Sequence, residues 1–170
     1  VGLGCVGLSL TYTSAKQNLK ILALEKNHIS GAMGTSSYGI GRIWRTSHPK
    51  EILNDMMYES ISLWKQMEIE FSKEFIKTAD MLNMGPRDSK PMKILLDQAE
   101  YQNGKYNSIL SMKRDIKILS PEEIMKTFPI LENIPKDYIG IVDNFSGYIH
   151  ASEAIKTLSE YLVNDERITC

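Results

Sequence analysis

The sequence predicts an α/β fold whose first part is a β-α-β unit, and three observations carry this prediction. Gly2, Gly4 and Gly7 form a G-x-G-x-x-G turn at the start of a segment long enough for a helix. The apolar run 19–24 is predicted to be a strand, and it ends at an acid, Glu25. Farther along the chain, apolar residues at helical spacing alternate with runs typical of strands, which favours helices packed on sheets.

Composition excludes several classes of protein. The chain has 170 residues, of which 42% are hydrophobic and 24% charged, and its formal net charge is -1. These values are typical of a globular protein, and without a basic stripe we expect no nucleic-acid partner. No apolar run approaches the roughly 20 residues of a membrane helix, so we expect no membrane segment. His28, His48 and His150 are too scattered to predict a metal site.

The cysteines and the chain ends bear on compartment and completeness. Cys5 and Cys170 cannot build a disulfide framework, which favours a reducing compartment or organelle. Val1 lies directly inside the glycine motif, and the run 168–170 resembles the middle of a strand. We therefore expect a fragment of a longer protein, and its oligomeric state stays open.

The glycine turn predicts that the chain binds a dinucleotide. In such a unit the first glycine permits the tight turn, the second admits a pyrophosphate, and the third lets helix and strand pack closely. The helix start presents free N–H groups and a positive dipole to the phosphates. Glu25 lies 18 residues beyond Gly7, close to the offset of about 20 at which an acid binds ribose hydroxyls. The predicted cofactor-binding residues here are Gly2, Gly4, Cys5, Val6, Gly7, Glu25 and Lys26.

The acid at this position also narrows the choice of cofactor. An acidic residue favours FAD or NAD over NADP, because a carboxylate would repel the extra phosphate of NADP. The fingerprint alone leaves FAD and NAD open.

The middle of the chain predicts two helices and a strand. Residues 51–73 follow Pro49 and carry an apolar stripe at helical spacing, which predicts one long amphipathic helix. Residues 78–85 are predicted to form a strand, and residues 91–101 a helix. The stripe of the long helix consists of Leu53, Met57, Ile61, Trp64 and Phe71.

The final part of the chain predicts a capped helix, a hairpin, another helix and a strand. The stretch SPEE at 120–123 places serine at the N-cap, proline at the first helical position and glutamate three residues beyond the cap. Residues 138–150 contain two strand-like runs around a Phe-Ser-Gly corner, which favours a hairpin. Ser152 can cap a helix that runs to about Val163, and a strand is expected after it.

The loop GTSSYGIGRIWR at residues 34–45 predicts a ligand. Its glycines let the backbone come close to a bound molecule. Arg42 and Arg45 can direct guanidinium groups at an anion or an electron-rich ring. By spacing alone, the same arginines fit equally well a solvated pair at the start of a helix.

This loop, placed after a dinucleotide fingerprint, resembles the sarcosine oxidase and N-methyltryptophan oxidase family of FAD-dependent amine oxidases. The family loop typically runs Gly-Ser-Ser-His-Gly-x-Thr/Ser-Arg-Ile-Ile-Arg. The similarity continues through MMYESISLWKQME, LSPEEIMKTFP and GIVDNFSGYIHASEAI, so it spans nearly the whole chain in the right order. It is strongest to the peroxisomal sarcosine and L-pipecolate oxidase branch.

The resemblance implies a D-amino-acid-oxidase-like flavoprotein, in which a Rossmann-like FAD-binding domain joins a sheet-based α+β substrate domain. Residues 1–77 would then form the first segment of the FAD-binding domain. Residues 78–149 would form part of the substrate domain, and residues 150–170 would return to the FAD-binding domain.

The resemblance also implies roles for residues of the loop. Ser36 and Ser37 would line the FAD site. Arg42 would lie by the isoalloxazine ring, and Arg45 would bind the carboxylate of the substrate. Arg42 and Arg45 are therefore the candidate catalytic residues, and Arg42 is also a candidate cofactor-binding residue.

Departures from the family pattern matter as well. Tyr38 stands where the family usually has histidine, Ile40 replaces a polar residue, and Gly41 replaces a hydroxyl residue. A packed loop aromatic is the favoured role for Tyr38. The covalent flavin cysteine and the oxygen-activating lysine of the family would lie beyond residue 170, so the flavin linkage stays open.

The implied activity is oxidation of the C–N bond of N-methyl or cyclic secondary amino acids, such as sarcosine and pipecolate. The product would be an imine, with oxygen reduced to hydrogen peroxide. The resemblance places such an enzyme in the peroxisome; otherwise we expect the cytoplasm. Two alternatives stay open: a dehydrogenase of the same superfamily that uses another acceptor, or an inactive truncated product.

Overall fold

The computed structural model describes residues 2–27, 31, 33–48, 50–102 and 114–169. The sequence-based expectations that fall on Val1, His28, Pro49 and Cys170 lie outside the described residues. In chain order the elements are α1 (Cys5–Lys16), β1 (Ile21–Leu22), β2 (Arg42–Arg45), α2 (Glu51–Phe71), β3 (Ile76–Thr78), β4 (Met81–Pro86), α3 (Lys90–Gln102), β5 (Ile116–Leu119), α4 (Pro121–Thr127), β6 (Tyr138–Asp143), β7 (Ser146–Ile149), α5 (Ala151–Asn164) and β8 (Ile168–Thr169).

The chain divides into two compact units, each assembled from separate stretches of sequence. The first unit consists of Val1–Arg42, Glu68–Phe75 and Ile149–Cys170. The second unit consists of Ile43–Met67 and Ile76–Tyr148. The identification of FAD-binding and substrate-binding domains along the chain stays a prediction.

The first unit contains the helix of the fingerprint and a small parallel sheet. α1 begins within the glycine motif, as predicted, and packs against α5. β1 and β8 pair in parallel, with Ile21 opposite Ile168 and Leu22 opposite Thr169. The two predicted strands are therefore confirmed, although β1 is shorter than the apolar run 19–24.

The core of the first unit combines aliphatic and aromatic side chains. Leu8 and Ala15 of α1 and Leu158 and Leu162 of α5 are buried. Neighbouring aromatic rings have centroids 5.2 to 6.4 Å apart, so they pack in the edge-on and tilted arrangements that aromatic side chains prefer. These rings belong to Tyr12, Phe71, Phe75 and Tyr161.

The second unit contains an antiparallel sheet in the order β4-β6-β5. Its central strand β6 is covered on both faces. Ile139 and Ile141 join a core with Met92 and Ala99 of α3. At Gly140 an added Cβ would lie 2.8 Å from the side chain of Ile124 in α4. Because helices cover both faces, β6 carries a nearly continuous run of buried residues.

Strands β6 and β7 belong to different sheets, so the predicted hairpin is wrong. β7 lies between β2 and β3 in a second sheet of three strands. The Asp143 carboxylate accepts a hydrogen bond from the Phe145 N–H at 2.9 Å and so holds the corner between the strands. At Gly147 an added Cβ would lie 1.8 Å from the Lys77 carbonyl oxygen. Close approach to β3 therefore replaces pairing with β6.

The predicted strand at residues 78–85 is confirmed over most of its length by β4, although its first residue, Thr78, belongs to β3. β3 ends at Thr78 and β4 begins at Met81. β3 pairs with β7, whereas β4 pairs with β6, so the chain changes sheets at residues 79 and 80. The local sequence does not reveal such a change, because the partner strands β6 and β7 lie far along the chain.

The long helix α2 is confirmed, but its buried stripe differs from the predicted one. The buried residues are Asn54, Tyr58 and Ile61. Leu53, which the apolar pattern placed in the core, is 38% exposed. Ile61 is buried as predicted, and the buried Asn54 and Tyr58 make polar contacts described below. A prediction based on apolar spacing cannot identify buried polar residues such as these.

The two predicted helix caps have different outcomes. At α4 the Glu123 N–H donates to the Ser120 hydroxyl at 3.3 Å, and the Ser120 N–H donates to the Glu123 carboxylate at 2.8 Å, which confirms the capping box. At α5 the N-cap is His150, so the predicted cap at Ser152 is wrong. β7 runs to Ile149, and the helix starts immediately after it, with Ser152 already inside.

Candidate functional site

The glycine turn before α1 is shaped by two close backbone approaches. At Gly7 an added Cβ would lie 2.1 Å from the Gly2 carbonyl oxygen, a distance that no side chain can occupy. At Gly4 an added Cβ would lie 3.0 Å from the Ser37 hydroxyl oxygen. Larger residues at these positions would fill the turn, which is the cradle that the fingerprint predicts for a pyrophosphate.

Glu25 follows β1, three residues after its end, and contacts this turn. Its carboxylate accepts hydrogen bonds from the Leu3 N–H at 2.6 Å and from the Asn27 N–H at 3.0 Å. The Asn27 amide donates a third bond at 3.1 Å. Backbone hydrogen bonds, first from Asn27 and then from Leu3, hold the pKa of Glu25 below its usual range. An ionised carboxylate with lone pairs still available can accept from the hydroxyls of a ribose.

The loop at residues 34–41 reaches the start of α1 through Ser37. The Ser37 hydroxyl accepts a hydrogen bond from the Cys5 N–H at 2.8 Å. Since the N-cap residue Gly4 has no side chain, Ser37 satisfies a helix-start donor from a distant part of the sequence. The side chains of Cys5 and Val6 are exposed. The Ser37 hydroxyl therefore lies at the start of α1, and its contact with FAD stays a prediction.

A cavity of about 1330 Å³ opens in the first unit beside these groups. Glu25 and Ser37 lie in its wall, and Ile155 and Leu162 of α5 contribute apolar surface. The cavity is larger than the roughly 300 to 1,000 Å³ of pockets for drug-sized ligands, so a nucleotide half of FAD has room. Of the ten predicted cofactor-binding residues, only Glu25 and Ser37 line this cavity. The other eight lie outside its lining: Gly2, Gly4, Cys5, Val6, Gly7, Lys26, Ser36 and Arg42.

Arg42 is held by the loop that precedes it. Its guanidinium donates from Nη2 to the carbonyls of Ser36 at 2.6 Å and Tyr38 at 2.5 Å, and from Nη1 to the carbonyl of Gly41 at 2.7 Å. Gly39 has a φ of +126°, and an added Cβ would lie 3.0 Å from Nη1 of Arg42. The loop therefore wraps around a fixed positive charge. The flavin contact of Arg42 stays a prediction.

Arg45 lies at the other end of β2. Strand residues three apart point to opposite faces, so the guanidinium groups of Arg42 and Arg45 leave the strand in opposite directions. The helix start that arginine spacing also allowed is wrong, because both residues lie in a strand. Arg45 is exposed, and no hydrogen bond joins its guanidinium to another residue that the structure describes. The planar guanidinium of Arg45 is therefore available to bind an anion.

His48 lies close to Arg45 in the second unit. Burial and then the charge of the Arg45 guanidinium lower the pKa of the His48 imidazole. Asn54 fixes the His48 backbone: its amide oxygen accepts from the His48 N–H at 2.8 Å, and its NH2 donates to the His48 carbonyl at 3.2 Å. A neutral imidazole therefore stands beside the exposed arginine at neutral pH.

Sequence analysis missed a buried ion pair in the second unit. Arg114 Nη2 and Asp143 Oδ2 are 2.7 Å apart, and both side chains are fully buried. Asp143 carried one signal, because it is an acid at the end of the apolar run YIGIVD. Arg114 carried none, since the surrounding lysines and acids are typical of a solvated face.

Two classes of site are absent from the described part of the chain. Its histidine, cysteine and acidic side chains form no group of three or more that could hold a metal ion. None of its helices has the length and apolar character that a bilayer crossing needs.

The residues around the glycine turn fit FAD. Side chains are excluded from Gly4 and Gly7 by close neighbours, the start of α1 lies beside the turn, and Glu25 supplies an ionised acceptor. Together these groups match the pyrophosphate and the ribose of a dinucleotide.

Comparisons with known proteins agree with this geometry. The family model described as FAD-dependent oxidoreductase matches residues 1–165. The chain is 27% identical over 160 residues to peroxisomal sarcosine oxidase of Homo sapiens, covering 94% of the chain and 38% of that protein. It is 22% identical over 159 residues to N-methyl-L-tryptophan oxidase of Yersinia pestis (strain Pestoides F), covering 93% of the chain and 40% of that protein.

A solved structure shares the fold. A variant of NikD, an unusual amino acid oxidase essential for nikkomycin biosynthesis, matches with a TM-score of 0.75 at 20% identity. The match covers 94% of this chain and 39% of NikD. The chain therefore spans about two fifths of the length of the proteins it matches. These findings confirm the predicted flavoprotein fold, and the chain belongs to the FAD-dependent oxidoreductase family.

Proposed function

We propose that the protein containing this chain is an FAD-dependent oxidase of N-methyl or cyclic secondary amino acids. It would oxidise the C–N bond to an imine and reduce oxygen to hydrogen peroxide. The observation that carries the proposal is the exposed guanidinium of Arg45, next to a loop that resembles the flavin loop of amine oxidases. The similarity to peroxisomal sarcosine oxidase and N-methyl-L-tryptophan oxidase supports the same class of substrate.

The first unit would hold the adenine dinucleotide part of FAD. Gly2 and Gly4 would let the backbone approach the pyrophosphate, and Gly7 would keep α1 packed against the turn. Val6 would present a backbone N–H of the first turn of α1, whereas the N–H of Cys5 is held by the Ser37 hydroxyl. Glu25 would accept from the ribose, with Lys26 beside it and Ser36 and Ser37 along the loop. When bound, FAD supplies the acceptor for the two electrons that leave the substrate C–H bond.

The arginines of β2 would divide two tasks. Arg42, fixed by three carbonyls of its own loop, would place a constant positive charge near the cofactor. Arg45 would bind the carboxylate of the amino acid with its planar fork, which suits two parallel hydrogen bonds to two oxygens. Binding of the carboxylate would then orient the amine, because both groups are attached to the same carbon atom of the substrate.

Oxygen consumption and peroxide yield test this function. The whole FAD-loaded protein is incubated with sarcosine or L-pipecolate, with oxygen as the sole electron acceptor. We expect one peroxide for each substrate oxidised. Substrate oxidation that needs an added electron acceptor would contradict the oxidase and support a dehydrogenase. Absence of oxidation with any acceptor would support an inactive product.

The cellular location of the enzyme is part of the proposal. We propose a peroxisomal enzyme, because mammalian relatives carry that location in their names. Fluorescence microscopy of the whole protein tagged at its N-terminus tests this location. A diffuse cytoplasmic signal would contradict it.

A further inference from the structure

The ion pair between Arg114 and Asp143 is the most deeply buried charged group in the described part of the second unit. Both side chains have no exposed surface. Besides the 2.7 Å contact, Arg114 Nε donates to Asp143 Oδ1 at 3.3 Å, and Arg114 Nη1 donates to the Tyr58 hydroxyl at 2.6 Å. A buried ion pair is retained only when such hydrogen bonds offset the cost of removing two charges from water.

The Asp143 carboxylate also binds the two residues that follow Arg45. The Ser47 hydroxyl donates to Asp143 Oδ2 at 2.7 Å. Thr46 Oγ1 lies 2.9 Å from the Phe145 carbonyl oxygen and 3.4 Å from Asp143 Oδ2. Thr46 and Ser47 are both buried. The backbone immediately after Arg45 is therefore joined to the corner between β6 and β7.

His48, the next residue along the chain, is also held by buried hydrogen bonds, in this case from Asn54. Asn54, which is 1% exposed, hydrogen-bonds both the N–H and the carbonyl of His48. Its NH2 group also donates to Gln98 Oε1 at 3.2 Å. Three consecutive residues, 46–48, are thus each anchored by buried polar groups. Arg45 itself extends from this anchored segment into solvent.

An arginine that recognises a carboxylate needs a fixed base. Its long side chain loses rotamer freedom when it is ordered, so a mobile backbone would add to that loss. A displacement of about 1 Å can cost about a hundredfold in an active site. Arg114 and Asp143 cancel each other's charge, so the pair acts on Arg45 through position and not through a field.

We propose that the Arg114–Asp143 pair is a positioning device that fixes residues 46 and 47 and so holds the guanidinium of Arg45 where it meets a substrate carboxylate. The inference rests on the proposed function, which supplies the task of Arg45. It assigns positioning roles to Asp143, Arg114 and Ser47, none of which would touch the substrate.

The test measures carboxylate binding by the whole FAD-loaded protein. The probe is cyclohexanecarboxylate, which has the shape of pipecolate but no amine to oxidise, and its affinity is measured by titration calorimetry. D143N leaves the guanidinium of Arg114 without its charge partner and should weaken binding about tenfold, the effect of one impaired charged hydrogen bond. S47A keeps the ion pair and cuts only its link to the segment, so binding should weaken about threefold.

The matched control is I141A. Ile141 is buried on β6 two residues before Asp143, so its truncation weakens the same sheet without touching the polar links. Melting temperature should fall in I141A, while affinity for cyclohexanecarboxylate stays within about twofold of the wild type. A tenfold loss in I141A as well would show that general destabilisation explains the effect and would overturn the positioning role.

Hydrogen exchange gives a readout that is independent of substrate. The amides of residues 46 and 47 should exchange faster in D143N and S47A, and their exchange should be unchanged in I141A. If D143N does not fold, S47A decides the outcome. Wild-type affinity and exchange in S47A would overturn the inference while peroxide formation from pipecolate still supported the proposed function. Wild-type protein that neither binds the probe nor oxidises pipecolate would refute both.

Discussion

Arg42 and Arg45 lie three residues apart on one strand, yet their guanidinium groups have different surroundings. Three carbonyls of the preceding loop surround the Arg42 guanidinium. Arg45 is exposed, and its backbone is followed by the anchored residues 46–48. A residue whose donors are already bound contributes a fixed charge, whereas a residue with free donors can bind a ligand.

The substitution Arg45→Lys tests the second role. Lysine keeps the charge but loses the planar fork, so the KM for sarcosine or L-pipecolate should rise about tenfold while kcat changes less. Steady-state oxygen consumption by the whole protein measures both values.

Carboxylate-free amines provide the control for Arg45. Piperidine lacks the carboxylate of pipecolate, so its oxidation should be nearly indifferent to Arg45→Lys. An equal loss for piperidine and pipecolate would show that Arg45 maintains structure and does not recognise the carboxylate.

Glu25 offers a second test at this scale. In Glu25→Gln the amide NH2 would face the N–H groups of Leu3 or Asn27, so the turn loses an acceptor and FAD retention should fall by tens-fold. FAD release on dilution, followed by flavin fluorescence, measures this. Unchanged release would exclude Glu25 from the ribose site.

The pH dependence of Glu25 follows from its lowered pKa. A carboxyl group whose pKa is lower in the folded protein stabilises the fold above the pKa of the unfolded chain, about 4.3. That contribution disappears as the pH falls through the folded pKa. The difference in stability between wild type and Glu25→Gln should therefore be constant near neutral pH and shrink below about pH 4. A difference that persists in stronger acid would contradict this assignment.

At the scale of elements, the two serines predicted to cap helices differ in their roles. Ser120 caps α4 through a reciprocal pair of hydrogen bonds with Glu123. Ser152 lies inside α5, because His150, the one residue between β7 and the helix, occupies the N-cap position.

We expect Ser120→Ala to destabilise α4 by about 1 kcal/mol, the usual cost of losing an N-cap. Hydrogen exchange of the amides in the first turn of α4 should become about fivefold faster in the whole protein. Ser152→Ala is the matched control, because alanine inside a helix is at least as favourable as serine. Faster exchange in α5 of that variant would mean that Ser152 has a capping role after all.

The corner between β6 and β7 is part of the core of the second unit. Two residues, Asn144 and Phe145, separate strands that belong to different sheets. The Phe145 ring is fully buried against Tyr58 and Trp44, with centroids 5.6 and 6.3 Å away. The corner is therefore a packed core feature and not a surface turn.

At the scale of the whole molecule, the described chain leaves much apolar surface in contact with solvent. In the first unit Val6 is 75% exposed, Leu22 69% and Leu24 60%. Two paired residues per strand in a two-stranded sheet give little stability, because sheets usually need three or more strands. Exposed apolar side chains at this density mark a surface that other protein normally covers.

We therefore expect the 170-residue chain, expressed by itself, to bind FAD poorly. The glycine cradle is present, but the sheet that supports it is marginal. Absorption spectra after gel filtration measure how much flavin remains with the protein. A stoichiometric flavin spectrum would contradict this expectation and would show that the first unit binds FAD independently.

Sequence alone determined the features that depend on near neighbours. The glycine turn, helix α1, the acid that follows β1 and the capping box of α4 all arise from residues within about 20 positions of one another. The steric freedom of glycine and local hydrogen bonds act between near neighbours, so the pattern of residue types is sufficient to predict these features. The loop at 34–45 likewise carries the family resemblance within its own twelve residues.

Tertiary structure alone decided the features whose partners lie far apart in the sequence. Asp143 binds Arg114 across 29 residues and Ser47 across 96 residues. The sheet in which β7 lies depends on how closely Gly147 approaches Lys77, and the freedom of Arg45 depends on what its neighbours bind. Local patterns cannot specify such contacts, because buried charges and strand partners are selected by packing among distant segments.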